Sequence, residues 1–560
     1  MGAGDRVEAA LTALRGKSGA TGPGPRGRTR VSRSSLALAS LAVMLASPRA
    51  VAQTEARPNI IFILVDDQRY DALGFLNGSL RTPHLDQLAA DGAHFRNAFV
   101  TTALCSPSRA SILTGKYMRD HRVVDNNRPV PAGTIFFPQL LQKSGYQTAF
   151  VGKWHMGDSG DAPQPGFGHW VSFEGQGEYR PADGSGRPHT LNVDGRRVAR
   201  RGYITDELTD YALRWLDRRE PTKPFFLYLS HKAVHSDFVP AERHAARYAA
   251  DRIEVPREPA TARQGVPLWV QNQRNSWHGV DFPYHNTLDI AEYMRRYYST
   301  LAAVDDSVGR LRRWLADNAL SRNTVVVYMA DNGFMFGEHG LIDKRAAYEE
   351  SMRVPLLLSA PGRVKPGTTV DAMGANIDIA PTMLRLAGIP APADYAGMDL
   401  MPFAAGTASA DAARRELLYE YYWEYNHPHT PTTFALRTPN YKLVQYHGVW
   451  DTEELFDLRT DPRERNNLID EPALAEVKID MRRRLFAQLA DSEGRRVIPF
   501  NEKTSEGAVL RNRNGAPAAT FPTRWMRGPN APDAECHFRP DTADSLRRRP
   551  RDCRRPAAPR

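Results

Sequence analysis

Cysteine is scarce in this chain: 560 residues contain three, Cys105, Cys536 and Cys553. Exported proteins often use cysteine in pairs. Here the stretch from 53 to 502 holds Cys105 alone. A disulfide at Cys105 would block any chemistry there, and nothing requires Cys536 and Cys553 to pair with each other. Long apolar runs are lacking as well. The run from Leu36 to Ala46 is about a dozen residues, short of the ~20 that a bilayer-spanning helix needs. Arg28, Arg30 and Arg33 precede it, and Ala50-Val51-Ala52 offers a small-x-small cleavage site. Residues 28–52 therefore read as an export signal, and the expectation is a periplasmic or secreted protein with no stable membrane span. No cysteine follows the run, which argues against a lipid anchor. A basic face is missing too, although the net charge is +10. Residues 1–52 carry +6 and residues 503–560 carry +7, leaving −3 for the body between them. The positive charge sits in the two ends, so a nucleic-acid partner is rejected.

What is present is the composition of a soluble globular protein, 41% hydrophobic and 25% charged. The length allows one large domain and a smaller one. Asn59-Ile60-Ile61-Phe62-Ile63-Leu64-Val65 is a short, β-branched apolar run that reads as a strand buried on both faces, hence parallel. It ends in Asp66-Asp67, two adjacent carboxylates that repel unless a cation sits between them. The arrangement recurs. Tyr146 to Val151 runs into Gly152-Lys153-Trp154-His155. Pro224 to Leu229 runs into Ser230-His231-Lys232-Ala233-Val234-His235. Thr324 to Ala330 runs into Asp331-Asn332-Gly333. Ligands of open α/β sheets bind outside the carboxyl ends of the strands, so four such endings argue for one site.

Helical patterns at 134–144, 207–218 and 291–319 separate the runs. The expected fold is an α/β three-layer sandwich around a large, mainly parallel sheet. Val354 to Ser359 reads as a further core strand. The stretch 240–290 has no clear period and reads as an insertion near the site rim. Strand-like segments from Glu416 to Leu458 and a helix near 472–490 predict a smaller C-terminal antiparallel-sheet subdomain. The boundaries expected are a leader at 1–52, a catalytic domain at 53–405, the subdomain at 406–502, and a basic tail at 503–560 that reads as disordered.

The stretch Cys105-Ser106-Pro107-Ser108-Arg109-Ala110-Ser111-Ile112-Leu113-Thr114-Gly115 reads as a loop turning into a helix. Ser106 suits the cap and Pro107 the first helical position. Cys105 then sits at a helix N-terminus, which favours an anion. Arg109 follows one turn later, placed to reach the same spot. A nucleophile, an anion hole and a fixed cation fall within five residues.

This string resembles the C-x-P-S-R-x-x-x-x-T-G signature of type I sulfatases, in the alkaline phosphatase superfamily, at every fixed position. The resemblance extends over roughly residues 57–490. It implies that Cys105 is oxidised to formylglycine by a maturation enzyme, and that the hydrated aldehyde is the nucleophile. It implies Asp66, Asp67, Asp331 and Asn332 as metal ligands, with residue 105 completing the set. These oxygen donors suit a hard cation and not zinc. Calcium is what the resemblance implies; the donors alone leave magnesium open. A sulfate ester needs its non-bridging oxygens neutralised, a nucleophile in line and a proton for the leaving alcohol. The resemblance assigns the sulfate oxygens to the metal, Lys153 and Lys344, and the nucleophile's charge to Arg109. His155 would deprotonate its second hydroxyl. His235, sharing the role with Lys344, would protonate the leaving group, with His231 as a competing choice because Ser236-Asp237 replaces the usual proline pattern after it.

The expected activity is hydrolysis of sulfate esters on a sulfated carbohydrate. Lys232-Ala233-Val234-His235 and the loop Tyr422 to His429 resemble N-acetylglucosamine-6-sulfatases. An aryl sulfate substrate, a phosphonate monoester or phosphodiester hydrolase of the same superfamily, and a non-catalytic binder of sulfated polymers are the alternatives. The complete set of metal and acid–base residues argues against the binder, as does the body without a basic face.

Overall fold

The computed structural model describes residues 57–491, apart from 158–159, 182–188, 257–264, 275, 277, 281–288, 425–426 and 448–451. The segment read as an export signal, the basic tail, Cys536 and Cys553 lie outside the described residues.

Asn59–Val65 forms a strand with every residue buried. Alternation divides its side chains between two cores. Ile60, Phe62 and Leu64 join one, and Ile61, Ile63 and Val65 the other. A strand buried on both faces needs cover on both, and helices supply it. The helices Ile204–Arg218 and Ile290–Asp317 pack on one face through Leu208, Leu216, Leu301 and Val308. Cys105–Thr114, Phe137–Lys143 and Ile379–Leu386 cover the other through Ile112, Leu141 and Met383. The three layers surround a ten-stranded sheet. Its central strands run parallel, and Leu356–Ser359 runs antiparallel beside them. That agrees with the sandwich expected from the alternating pattern.

The order of strands across the sheet decides which strand tips can meet. Thr324–Ala330, Asn59–Val65, Phe225–Ser230 and Gln147–Gly152 are consecutive neighbours. The register pairs Val65 with Ala330, Leu64 with Ser230, and Gly152 with Ser230. All four carboxyl ends therefore finish level and side by side.

A separate four-stranded antiparallel sheet comes after the large one in the chain, built from Leu417–Tyr421, Thr432–Arg437, Tyr441–His447 and Glu453–Asp457. One face lays Tyr419, Ala435, Val444 and Phe456 onto the main core. The other puts Leu418, Leu436, Leu443 and Leu455 beneath Met481 and Leu485 of the helix Ala475–Asp491. No helix among the described residues is long and apolar enough to cross a membrane.

Gly152 shows how tightly the central strands close. Its φ of +129° and a Cβ that would lie 1.7 Å from the Ser230 carbonyl oxygen leave room for hydrogen only. The next amide, of Lys153, donates to that same oxygen at 2.8 Å. Gly152→Ala is expected to cost at least ~2 kcal/mol of stability, from backbone strain and the displaced strand. Urea unfolding of the two proteins measures it; a midpoint unchanged from wild type would contradict the packing described.

Candidate active site

Cys105 opens the helix Cys105–Thr114, all of it buried. The cap differs from the sequence expectation. Leu104, extended and without a side-chain acceptor, takes the cap position. Ser106 is inside the helix, and its hydroxyl donates to the His155 carbonyl. Pro107 comes in the first turn rather than at its first position. Capping comes from a distant residue, since Asn126 Oδ1 accepts from the Ser106 amide at 3.1 Å. The helix therefore begins two residues earlier, which places Cys105 itself in the first turn. Gly115 ends it in the left-handed conformation, φ +66°.

Arg109 lies one turn on and reaches across the strand ends. Its Nε donates to Asp331 Oδ2 at 2.9 Å, and its Nη1 to the Lys153 carbonyl and Ser230 Oγ, both at 2.7 Å. Asp331 comes directly after the Thr324–Ala330 strand. Asp66 and Asp67 come after Asn59–Val65 in the same way. Asp67 takes a left-handed conformation, φ 56°, which sends consecutive carboxylates in different directions. The turn is held from behind: Tyr297 Oη donates to the Asp67 carbonyl at 2.9 Å. The carboxylates of Asp66, Asp67 and Asp331 each place an oxygen within 4.8 Å of the others.

Three buried carboxylates at that spacing destabilise one another. Burial, with the neighbouring Asp66 charge, pushes Asp331 up to about 7. Burial also raises Asp67, partly offset by Lys344. Asp66 escapes: burial opposes its charge, but Lys153 holds it well below the ordinary carboxylate range. Lys153 Nζ donates to Asp66 Oδ2 and to Gln176 Oε1. Asn332 Nδ2 donates to Asp67 Oδ1 at 2.7 Å. Its Oδ1 is buried and has no hydrogen-bond partner. An orphaned amide oxygen beside three crowded carboxylates is the donor set a hard divalent cation would complete. The residues present fit such an ion.

Lys344 Nζ donates to Asp67 Oδ1 and to Cys105 Sγ, the latter at 3.1 Å. Cys105 Sγ also lies 3.4 Å from Asp66 Oδ1. Burial, reinforced by Asp66, pushes the thiol up to about 12. An unmodified Cys105 is thus a neutral thiol, a poor nucleophile in this setting. His155 and His235 are both held well below the ordinary imidazole range, first by burial and then by the Lys153 charge. Both are therefore neutral. His235 Nδ1 lies 2.7 Å from the Ser236 carbonyl and donates to it, which leaves Nε2 facing Asp67 at 3.9 Å. His231 goes elsewhere. It is fully buried, with Nε2 3.2 Å from Ser307 Oγ of the long helix. Of the two histidines, His235 lines the cavity and His231 does not.

One cavity of about 420 Å³ is lined by Asp67, His155, His235 and Lys344. Its lining also includes Asp343, Arg345, Glu424, His427 and His278. Arg345, left-handed at φ 67°, turns away from Lys344. It donates to Asp343 Oδ1 and Glu424 Oε1, both at 2.8 Å, and lies 2.8 Å from His427 Nε2. His278 Nε2 lies 3.0 Å from His427 Nδ1. Three chain regions far apart in sequence thus meet on one charged wall. His278 comes from the insertion expected near the rim. Glu424 and His427 come from the aromatic, His-rich loop. Asn126, Gln176 and Arg345 were missed because each is fixed by a loop contact that has no periodic signature.

A family model described as Sulfatase matches residues 58–389. A second, N-sulphoglucosamine sulphohydrolase, C-terminal, matches 337–491. The chain is 33% identical over 484 residues to an N-acetylglucosamine-6-O-sulfatase of Bacteroides thetaiotaomicron, covering 76% of this chain and 85% of that one. It is 33% identical over 417 residues to the human N-acetylglucosamine-6-sulfatase, covering 69% and 71%. A solved structure of a protein with its substrate, D-glucosamine-2-N,6-O-disulfate, superposes with a TM-score of 0.70 at 31% identity, covering 77% of this chain and 97% of that one.

Proposed function

The chain belongs to the sulfatase family and is a sulfuric ester hydrolase, and we propose that it removes the 6-sulfate from N-acetylglucosamine-type sugars of a sulfated carbohydrate. The observation that carries the reading is the cavity. Its lining joins Lys344, His155, His235 and Asp67 to a second group, Asp343, Arg345, Glu424 and His427. The first group suits a sulfate ester. The second offers paired donors and acceptors at fixed spacing, which suits sugar hydroxyls better than a plain aryl ring. The relatives named for N-acetylglucosamine 6-sulfate support the same choice.

In this reading Asp66, Asp67, Asp331 and Asn332, with residue 105, hold a calcium ion, which supplies positive charge to the sulfate oxygens. Residue 105, converted to an aldehyde by a maturation enzyme and hydrated, supplies the oxygen nucleophile and a second hydroxyl for expelling sulfate. The remaining work falls to side chains already in place. Lys153 and Lys344 add positive charge from two sides of the sulfate. Arg109, anchored on Asp331, offsets charge growing at residue 105. His155, neutral and buried, takes the proton from the second hydroxyl. Lys344, an ammonium with protons to give, shares the protonation of the leaving oxygen with His235, whose Nε2 can pass a proton only once the ring is protonated on both nitrogens. We also propose export through the 28–52 segment, which would bring the enzyme to glycans outside the cytosol.

Turnover of N-acetylglucosamine 6-sulfate, an aryl sulfate and an aryl phosphonate, measured side by side, tests the substrate. The sugar sulfate is expected to have the highest kcat/KM, by at least about tenfold, because an aryl ring leaves the polar wall unpaired. A higher kcat/KM for the aryl sulfate or for the phosphonate would contradict the reading.

A further inference from the structure

Lys442 is buried completely, outside the cavity lining, on the third strand of the small sheet. Burying an ammonium is costly unless it is paired and hydrogen-bonded. Its Nζ donates to the Ala347 carbonyl at 2.9 Å and pairs with Glu349 at 2.8 Å and Glu464 at 2.6 Å. Two of these three partners belong to the segment that carries Lys344. The rest of that segment is gripped from the same side. Glu464 Oε2 accepts from the Glu349 amide at 2.8 Å. Arg437 Nε donates to Glu349 Oε1 at 2.9 Å. Tyr348 Oη donates to Glu454 at 2.9 Å. On the other side the Arg345 amide donates to the Ala103 carbonyl at 3.1 Å, two residues before Cys105.

We propose that Lys442 is a positioning residue for Lys344: the small sheet acts as a backing mould that fixes the 344–349 turn, with the buried ammonium of Lys442 as its centre. This role rests on the proposed contact of Lys344 with the sulfate. Lys344 reaches Cys105 Sγ and Asp67 only because its backbone is held between Ala103 and the small sheet. A single charge holding both a carbonyl and a carboxylate of one turn fixes its path more closely than apolar packing does, because both contacts are directional. The small sheet then contributes to the chemistry without touching substrate.

The test is a double-mutant cycle with Lys442→Met, Lys344→Ala and the pair, each compared at equal folded fraction by circular dichroism and equal conversion of residue 105 by mass. Lys442→Met alone is expected to lower kcat/KM by about tenfold or more, the scale expected from displacing a catalytic group by about 1 Å. In the Lys344→Ala background the same change is expected to have less than about a threefold effect, since residues acting as a unit are not additive. Lys442→Arg, which keeps the charge, is expected to recover most of the loss. Should Lys442→Met fail to fold, Glu464→Gln, which loosens the ammonium from its other partner, enters the cycle in its place with the same expectation. Effects that multiply in the double variant would overturn the proposal, as would Lys442→Met within twofold of wild type. If Lys344→Ala alone keeps full activity, the role of Lys344 itself fails and the proposal goes with it.

Discussion

Cys105→Ala is expected to lower kcat by a factor on the order of 10⁴ to 10⁶, the scale of losing a nucleophile from a site whose members act together. Cys105 stands in the first turn of a buried helix, with Lys344 Nζ 3.1 Å from its Sγ and Asp66 beside it. Burial pushes the thiol up to about 12, so as cysteine it stays protonated at neutral pH. Alanine removes the attacking atom and residue 105's share in holding the ion, while leaving Asp66, Asp67, Asp331, Asn332, both histidines and both lysines in place. Sugar sulfate binding is therefore expected to persist, within a few-fold in Kd by calorimetry, while turnover disappears. Residual turnover within about a hundredfold of wild type would mean that another group attacks, against the scale for nucleophile loss.

Removal of the cation proposed for this site is expected to have the second-largest effect. Asp66, Asp67 and Asp331 converge within 4.8 Å, and Asn332, whose Nδ2 donates to Asp67, keeps a buried amide oxygen without a hydrogen-bond partner. Stripping with a chelator should lower kcat by about 10³-fold or more, because several kcal/mol of charge stabilisation at the sulfate is lost. It should also lower the thermal midpoint, since an ion bound only by the folded state stabilises it by about 4 kcal/mol at a thousandfold excess over Kd. Returning calcium should restore both. Asp331→Asn should abolish the calcium-dependent rise in midpoint and remove the charge that Arg109 Nε meets at 2.9 Å. A chelated protein with full activity and an unchanged midpoint would remove the metal from the account.

Much of this site was legible because strand ends are simple signals. An uninterrupted β-branched run ending directly in Asp66-Asp67, in Asp331-Asn332 or in Lys153 and His155 marks both a buried strand and the polar group at its tip. Once the four runs proved to be neighbours in the sheet, the tips had to meet. The Cys105 stretch was legible by its spacing, but its cap was not. Ser106 is the better cap by type, yet Asn126, twenty residues on, satisfies the helix and leaves Ser106 to hold the His155 carbonyl. The choice between His231 and His235 turned on which face of a short loop each side chain takes, and no periodicity governs a loop. The 240–290 insertion and the Tyr422–His429 loop were legible as lying near the substrate, but their meeting with Arg345 was hidden for the same reason. Arg345, Glu424, His427 and His278 come from three loops that only the finished fold brings together. The grip of Lys442 on the 344–349 turn was beyond reach too, because a lysine on a strand reads as a solvated charge until the opposite surface is known.

The central claim is that this chain hydrolyses sulfate esters through a converted residue 105, and the mass of the Cys105 peptide from active protein, made in its own host, tests it most directly. Conversion of –CH₂SH to –CHO lowers the peptide mass by about 18 Da, a covalent change no noncovalent contact can mimic. The account predicts that loss, in a fraction of molecules that tracks specific activity from one preparation to the next. An intact thiol throughout fully active protein would contradict it.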